Sequence, residues 1–136
     1  MALIGTCLCG RVRYEITGKL GPVVQCHCRE CQQASSTPFA TNAAVRDKYF
    51  HLVAGESEVC EYESSPGKFR CFCGQCGSPL WSRRPALPGE RNIRLGLLDG
   101  DPERRPLIHI WVSEKAAWYE ICDELPRYER GFIRDP

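Results

Sequence analysis

The chain is expected to be an all-β domain stapled by metal, on three observations. Apolar residues recur at every second position over short runs, the period of a half-buried strand. Glycine and proline interrupt those runs at close intervals, as turns do. Eight of the ten cysteines fall into three tight groups. Many short strands with little helix and clustered thiols describe a small β fold that metal holds together. At 136 residues the chain is expected to be one domain, residues 1–136, with a modest core.

Taken in order, Leu3 to Cys9 reads as a strand delivering Cys7 and Cys9 to one face, and Gly10 turns the chain. Val12, Tyr14 and Ile16 alternate with charged residues as a second strand, which Gly18 to Pro22 ends. Val23 and Val24 lead into Cys26-His27-Cys28-Arg29-Glu30-Cys31, and a short helix runs from Arg29 to about Ser36 before Thr37-Pro38 stops it. Phe39 to Val45 and Tyr49 to Val53 read as a hairpin turning at Asp47-Lys48. Val59 to Glu63 and Lys68 to Phe72 are strands around a turn at Ser64 to Gly67, the latter running into Cys71-Phe72-Cys73-Gly74-Gln75-Cys76-Gly77. Pro79 to Ser82 is short and apolar, and Arg83 to Glu90 is a loop. Ile93, Leu95 and Leu97 alternate, and Leu107 to Val112 is a late strand. Ser113 is placed to cap a short helix reaching Trp118, and the charged tail from Glu120 is expected to pack loosely.

Zinc holds thiolate sulfur at about 2.3 Å in tetrahedral geometry, and a short turn brings neighbouring cysteines within that reach. Cys73-x-x-Cys76-Gly77 has the form of a zinc knuckle, which needs two further ligands. Cys7 and Cys9 are the remaining pair, so Cys7, Cys9, Cys73 and Cys76 are expected to make a closed structural site. Cys26, Cys28 and Cys31 are left as three sulfurs with one exchangeable position, the mark of a catalytic site. The competing reading closes this site too, with Cys71 as fourth ligand because it shares a strand face with Cys73. His27, His51 and His109 are read as packed or exposed rather than ligating. Cys60 and Cys122 are read as small hydrophobes. A disulfide framework is the other account of ten cysteines. It is disfavoured because no export signal is recognisable near Met1, which points to a reducing cytoplasm. Iron or another soft metal would satisfy the same sulfurs.

The net charge is +1, and two zinc ions on seven ionised thiols would move it only to −2. Such a chain has no field to draw in nucleic acid or an acidic membrane surface. No apolar run approaches the length of a membrane span. The partners expected are therefore small molecules, not nucleic acid and not a membrane. A three-thiolate zinc suits a small thiol, whose deprotonation the metal favours.

In order along the chain stand Cys7-x-Cys9-Gly10-x-Val12, Cys26-His27-Cys28-x-x-Cys31 and Ser64-Ser65. Phe72-Cys73-x-x-Cys76-Gly77-Ser78, Leu98-Asp99, His109-Ile110-Trp111, Lys115 and Trp118 follow. In this the sequence resembles the glutathione-dependent formaldehyde-activating enzyme family, which includes the centromere protein V domain. The resemblance implies a β-tent-type zinc fold and condensation of glutathione with formaldehyde to S-hydroxymethylglutathione, a carbon–sulfur lyase reaction run in reverse. Carried over by position, Cys7, Cys9, Cys73 and Cys76 would hold the structural zinc, and Cys26, Cys28 and Cys31 the catalytic one. The expected activity is thus carbon–sulfur lyase chemistry on a small-thiol adduct, with Arg29, Lys68 and Arg70 as candidates to meet glutathione's carboxylates. Two rivals stand beside it: a zinc- and glutathione-binding protein without turnover, and a zinc-ribbon interaction module.

Overall fold

A computed structural model describes residues 2–131 of the chain. It is mainly β, as the alternation implies, with ten strands and one α-helix among the described residues. Strands β1 (Leu3–Thr6), β2 (Arg13–Ile16) and β5 (Phe50–Ala54) form a three-stranded antiparallel sheet. The larger sheet has seven strands in the order β10-β3-β4-β9-β8-β7-β6. These are β3 (Val23–Cys26), β4 (Ala40–Arg46), β6 (Val59–Ser65), β7 (Lys68–Cys73), β8 (Pro79–Arg83), β9 (Glu90–Arg94) and β10 (Pro106–Ile110). Only the β10–β3 pairing is parallel; the rest are antiparallel.

The core lies where the small sheet meets one face of the large one. Tyr14, Ile16 and Phe50 come from the former, with Val12 just before β2, and Ala43, Val45, Leu80, Trp81 and Ile93 from the latter. The Phe50 ring sits 4.8 Å from Tyr14 and 5.1 Å from Trp81, the second contact edge-on. The Arg91 guanidinium closes this stack, 3.9 Å from the Phe50 centroid. Burying each such side chain contributes about 1.5–3 kcal/mol, so the alternation read from the sequence is what drives the two sheets together.

Several local expectations are corrected. Asp47–Tyr49 is not a hairpin turn but a 3₁₀ corner, where the chain leaves the large sheet after β4 and enters the small one as β5. Strand β1 ends at Thr6, so Cys7 and Cys9 stand on the turn that follows it. Cys7 N–H donates to Val12 O at 3.0 Å and Gly10 N–H to Cys7 O at 3.0 Å, which fixes that turn. Leu95–Leu97 is a 3₁₀ turn rather than strand. Among the described residues, those after Ser113 form no α-helix; a single 3₁₀ turn, Val112–Glu114, stands in its place.

The tail from Glu120, expected to pack loosely, is instead tied to the body up to Gly131, and the rest lies outside the described residues. Ile121 is buried, the amides of His109 and Val112 donate to Pro126 O and Tyr128 O, and Tyr128 N–H donates to His109 O. These bonds cover the open edge of β10, an edge that otherwise offers unpaired donors and acceptors.

Candidate metal centres and the cleft beside them

Helix α1 (Arg29–Ser35) begins inside the first cysteine cluster, as its spacing implies. Cys28 is its N-cap, and the Cys28 sulfur accepts the Cys31 amide at 3.3 Å. Ser36, at φ 57°, ends the helix one residue before Thr37-Pro38. Beneath it, Gln32 Nε2 donates to His27 O at 2.8 Å and to Glu114 O at 2.9 Å. A buried side-chain amide thus ties the cysteine loop to the end of β10.

The sulfurs of Cys26, Cys28 and Cys31 lie within 4.8 Å of one another, as do those of Cys7, Cys9, Cys73 and Cys76. In the second group Cys7 Sγ is 3.6 Å from Cys9 Sγ, and Cys9 Sγ is 3.8 Å from Cys73 Sγ. A tetrahedron with about 2.3 Å from centre to sulfur has edges of about 3.8 Å, so this set has the dimensions of a zinc site. All ten cysteines are free thiols. Donors are already aimed at the sulfurs: Val12 N–H reaches Cys7 Sγ at 3.3 Å, and the Ser78 hydroxyl lies 3.2 Å from Cys76 Sγ. The Ser78 contact pulls the Cys76 thiol down to about 5. Both clusters can therefore hold a metal ion, and their all-sulfur donor sets are compatible with zinc.

Cys71, the rival fourth ligand, is turned elsewhere. Its buried sulfur lies 3.5 Å from Glu61 Oε2, and it belongs to neither cluster. Burial, with the Glu61 carboxylate beside it, pushes that thiol up to about 12. Cys60 and Cys122, read as small hydrophobes, are exposed and belong to neither cluster.

The two clusters differ in electrostatics. In the three-cysteine set the Cys31 thiol is held well below its ordinary range. Donation from Cys26 and Cys28 is the main cause, with Lys68 and Arg70 adding their charge. Cys26 is pushed the other way by Cys28 and Cys31. Sequence proximity put Lys68 and Arg70 beside the second cluster. The sheet order instead carries both toward the first. Arg70 Nη1 and Nη2 stand 3.9 and 3.8 Å from Cys31 Sγ, and Nη2 is 3.4 Å from Glu30 Oε2. Arg70 Nε donates to Ser64 Oγ at 3.0 Å. Arg70 is therefore committed to the sulfur cluster and not free for a substrate carboxylate.

A cleft of about 980 Å³ opens beside this cluster, with Cys26 and Cys28 at its margin. One wall is polar and carries Asn42, Ser82, Asn92, Lys68 and Arg84. Among the described residues, neither the Lys68 nor the Arg84 side chain is paired with a carboxylate. Burial, with Arg70 and Arg84 near it, lowers the Lys68 pKa, so a bound anion would relieve it. Arg29 also lines the cleft, and its amide donates to Glu114 Oε1 at 2.8 Å. Sequence reading missed Asn42, Ser82, Asn92 and Arg84. Polar residues at the alternate positions of apolar strands were the available signal.

Among the described residues, no histidine joins either group of candidate metal ligands. His27 is fully buried between the two cysteines, and its Nε2 is 2.8 Å from His109 Nδ1. His109 Nε2 reaches the Asp123 carboxylate at 3.0 and 3.1 Å. Burial first, then the His109 and Lys115 charges, lowers His27 to about 4. Nothing in the sequence pointed to Asp123.

The comparisons agree with this geometry. The model of the glutathione-dependent formaldehyde-activating enzyme family matches residues 2–114. A Halomonas elongata protein that carries that family's name provisionally is 31% identical over 130 residues, covering 89% of this chain and 82% of its own. A crystal structure of a Rhodobacter sphaeroides protein superposes with a TM-score of 0.61 at 25% identity, covering 72% of this chain and 89% of that one. With both cysteine clusters assembled as the resemblance implied, the chain belongs to the glutathione-dependent formaldehyde-activating enzyme family.

Proposed function

We propose that the chain is a zinc-dependent enzyme of the carbon–sulfur lyase type that joins a small thiol, glutathione in the first instance, to an aldehyde. In this reading Cys7, Cys9, Cys73 and Cys76 hold a structural zinc, and Cys26, Cys28 and Cys31 hold a catalytic one. The observation that carries it is the three-sulfur cluster lining a cleft that also bears Lys68 and Arg84, two cations without a carboxylate partner among the described residues.

A zinc ion on these three sulfurs would supply a soft Lewis acid that favours thiolate over thiol at neutral pH. The chain's own residues do the rest. Lys68 and Arg84 receive a carboxylate of the thiol, and Asn42, Ser82 and Asn92 offer hydrogen bonds along the same wall. Arg70 offsets the negative charge of the cluster from behind, through Cys31. In the reaction the thiol sulfur forms a bond to the carbonyl carbon and the carbonyl π bond breaks. The proton the thiol gave up ends on the carbonyl oxygen, which water can deliver.

The test is glutathione binding by calorimetry together with the rate of S-hydroxymethylglutathione formation above the uncatalysed background. Lys68→Ala is expected to weaken glutathione binding roughly tenfold, the loss of one charge-assisted pair. Saturable acceleration that tracks metal content supports the enzyme. A second reading, a glutathione- and zinc-binding protein without turnover, is favoured by one observation. Both carboxylates lining the cleft are engaged, Glu30 by Arg70 and Glu114 by the Arg29 amide. Binding without acceleration would establish that reading instead.

A further inference from the structure

The cleft has a second wall that a formaldehyde adduct does not use. At the β10–β3 end of the sheet, four strands from Lys68 on β7, it is apolar, lined by Val24 of β3 and by Leu107, Ile108, Ile110 and Trp111 at and after β10. Leu107 keeps 50% of its surface exposed, although it sits inside a strand. Ile110 and Trp111 do more than line the cleft: both pack against the cluster of Cys26, Cys31 and Ala40. Trp111 also holds a left-handed backbone, φ 56°, ψ 38°, which is strained for a residue with a bulky side chain. The fold retains a strained tryptophan where the sulfur cluster meets the cleft.

Resting on the thiol-adduct reading above, we infer that the carbonyl partner is an aldehyde bearing an alkyl or aryl group, which the Leu107–Trp111 wall receives. An atom bonded to a sulfur at the cluster lies next to Ile110 and Trp111, because these two side chains touch the cluster itself. The thiol's carboxylate is drawn the other way, to Lys68 and Arg84. A hydroxymethyl group carries two hydrogens and a hydroxyl on its carbon, no alkyl or aryl group, and leaves the apolar wall wet. A benzyl-sized or branched alkyl group covers it and removes that surface from water. Aldehyde size does not alter the chemistry: the C–S bond forms, the C=O π bond breaks, and the proton again ends on oxygen. No oxidant or reductant is involved.

Thioethers test the wall without turnover. Dissociation constants of glutathione, S-methylglutathione and S-benzylglutathione are to be measured on the metal-loaded protein by calorimetry. The same set is repeated on Leu107→Asn and on Trp111→Gly, the latter chosen because glycine adopts the left-handed backbone freely. S-benzylglutathione is expected to bind at least tenfold tighter than S-methylglutathione to wild type. That preference should shrink below threefold in both variants, with melting temperatures showing that they remain folded. Binding of glutathione with no preference for the benzyl compound overturns this inference and leaves the thiol reading standing. The same holds for a preference that survives in both variants. Failure of all three ligands to bind overturns the thiol reading, and this inference with it.

Discussion

His27 Nε2 and His109 Nδ1 lie 2.8 Å apart in the interior, joining the cysteine loop to β10. The chain of bonds continues to Asp123, whose carboxylate accepts from His109 Nε2. That acceptance leaves His109 Nδ1 as an acceptor and makes His27 Nε2 the donor, so one surface carboxylate sets two buried tautomers. Asp123→Ala should therefore cost about 1–2 kcal/mol of unfolding free energy. It should also speed exchange of the His109 amide, which donates to Pro126 O in the docked tail. Asp123→Asn, which can still accept from His109, should recover most of both. Urea melts and hydrogen exchange decide it; an Ala variant as stable and protected as wild type would refute the coupling.

Tyr14 presents a second pairing, with Gly5 directly across the β1–β2 ladder. A Cβ at position 5 would fall 2.2 Å from Tyr14 Cζ, in a ring that is fully buried and has nowhere to move. Gly5→Ala should cost at least about 2 kcal/mol by overpacking. The Tyr14 hydroxyl, by contrast, is buried without a hydrogen-bond partner among the described residues. Tyr14→Phe should be neutral or stabilising by up to about 1 kcal/mol, since it removes an unsatisfied polar group. It should not rescue Gly5→Ala, because the clash is with ring carbon. A clearly destabilised Tyr14→Phe would mean that the hydroxyl has a partner.

Metal removal should proceed in two stages. Three sulfurs hold an ion less tightly than four, and Cys28 at the cleft margin is partly exposed. Titration with a chelator is expected to remove one equivalent with little change in melting temperature. The second should leave with a loss of cooperative unfolding, because the Cys7, Cys9, Cys73 and Cys76 cluster ties the turn after β1 to the end of β7. Cys28→Ser should reproduce the first stage and Cys73→Ser the second. Metal analysis alongside calorimetric melts checks the order. Unfolding with the first equivalent would reverse the two roles.

Thiol reactivity should separate the three unclustered cysteines. Cys60 and Cys122 are exposed and should be alkylated readily at pH 8 in the folded protein. Cys71 is buried, and its thiol is pushed up to about 12 by desolvation and Glu61. At pH 8 only roughly one molecule in ten thousand would carry the Cys71 thiolate, the reactive form. Its labelling should rise tenfold per pH unit while the fold persists, since a raised pKa places ionisation above neutrality. Peptide mass spectrometry after timed iodoacetamide treatment reads each site. Labelling of Cys71 at a rate matching Cys60 would contradict its placement on Glu61.

The sequence by itself determined the parts that depend on neighbours a few residues apart. Cys26, Cys28 and Cys31 share one turn and the start of α1. Cys73 and Cys76 share another. Their spacing carries the clusters because a short turn leaves their sulfurs few other places to go. The period of two found most strands for the same reason: one face of each must be buried.

What only the tertiary structure decided depends on which strands lie side by side. The chain changes sheets at Asp47–Tyr49, which a run of turn residues cannot distinguish from a hairpin. The order β4-β9-β8-β7 carries Lys68 and Arg70 to the cysteines before α1 and away from those they precede in sequence. The docked tail brings Asp123 to His109, and the sheet order puts the apolar residues of β10 and the basic Lys68 of β7 on the lining of one cleft. A strand's local pattern states which face is buried but not which strand it will lie beside. Partners far apart in sequence are chosen by packing the whole sheet, and the cleft is made of such partners.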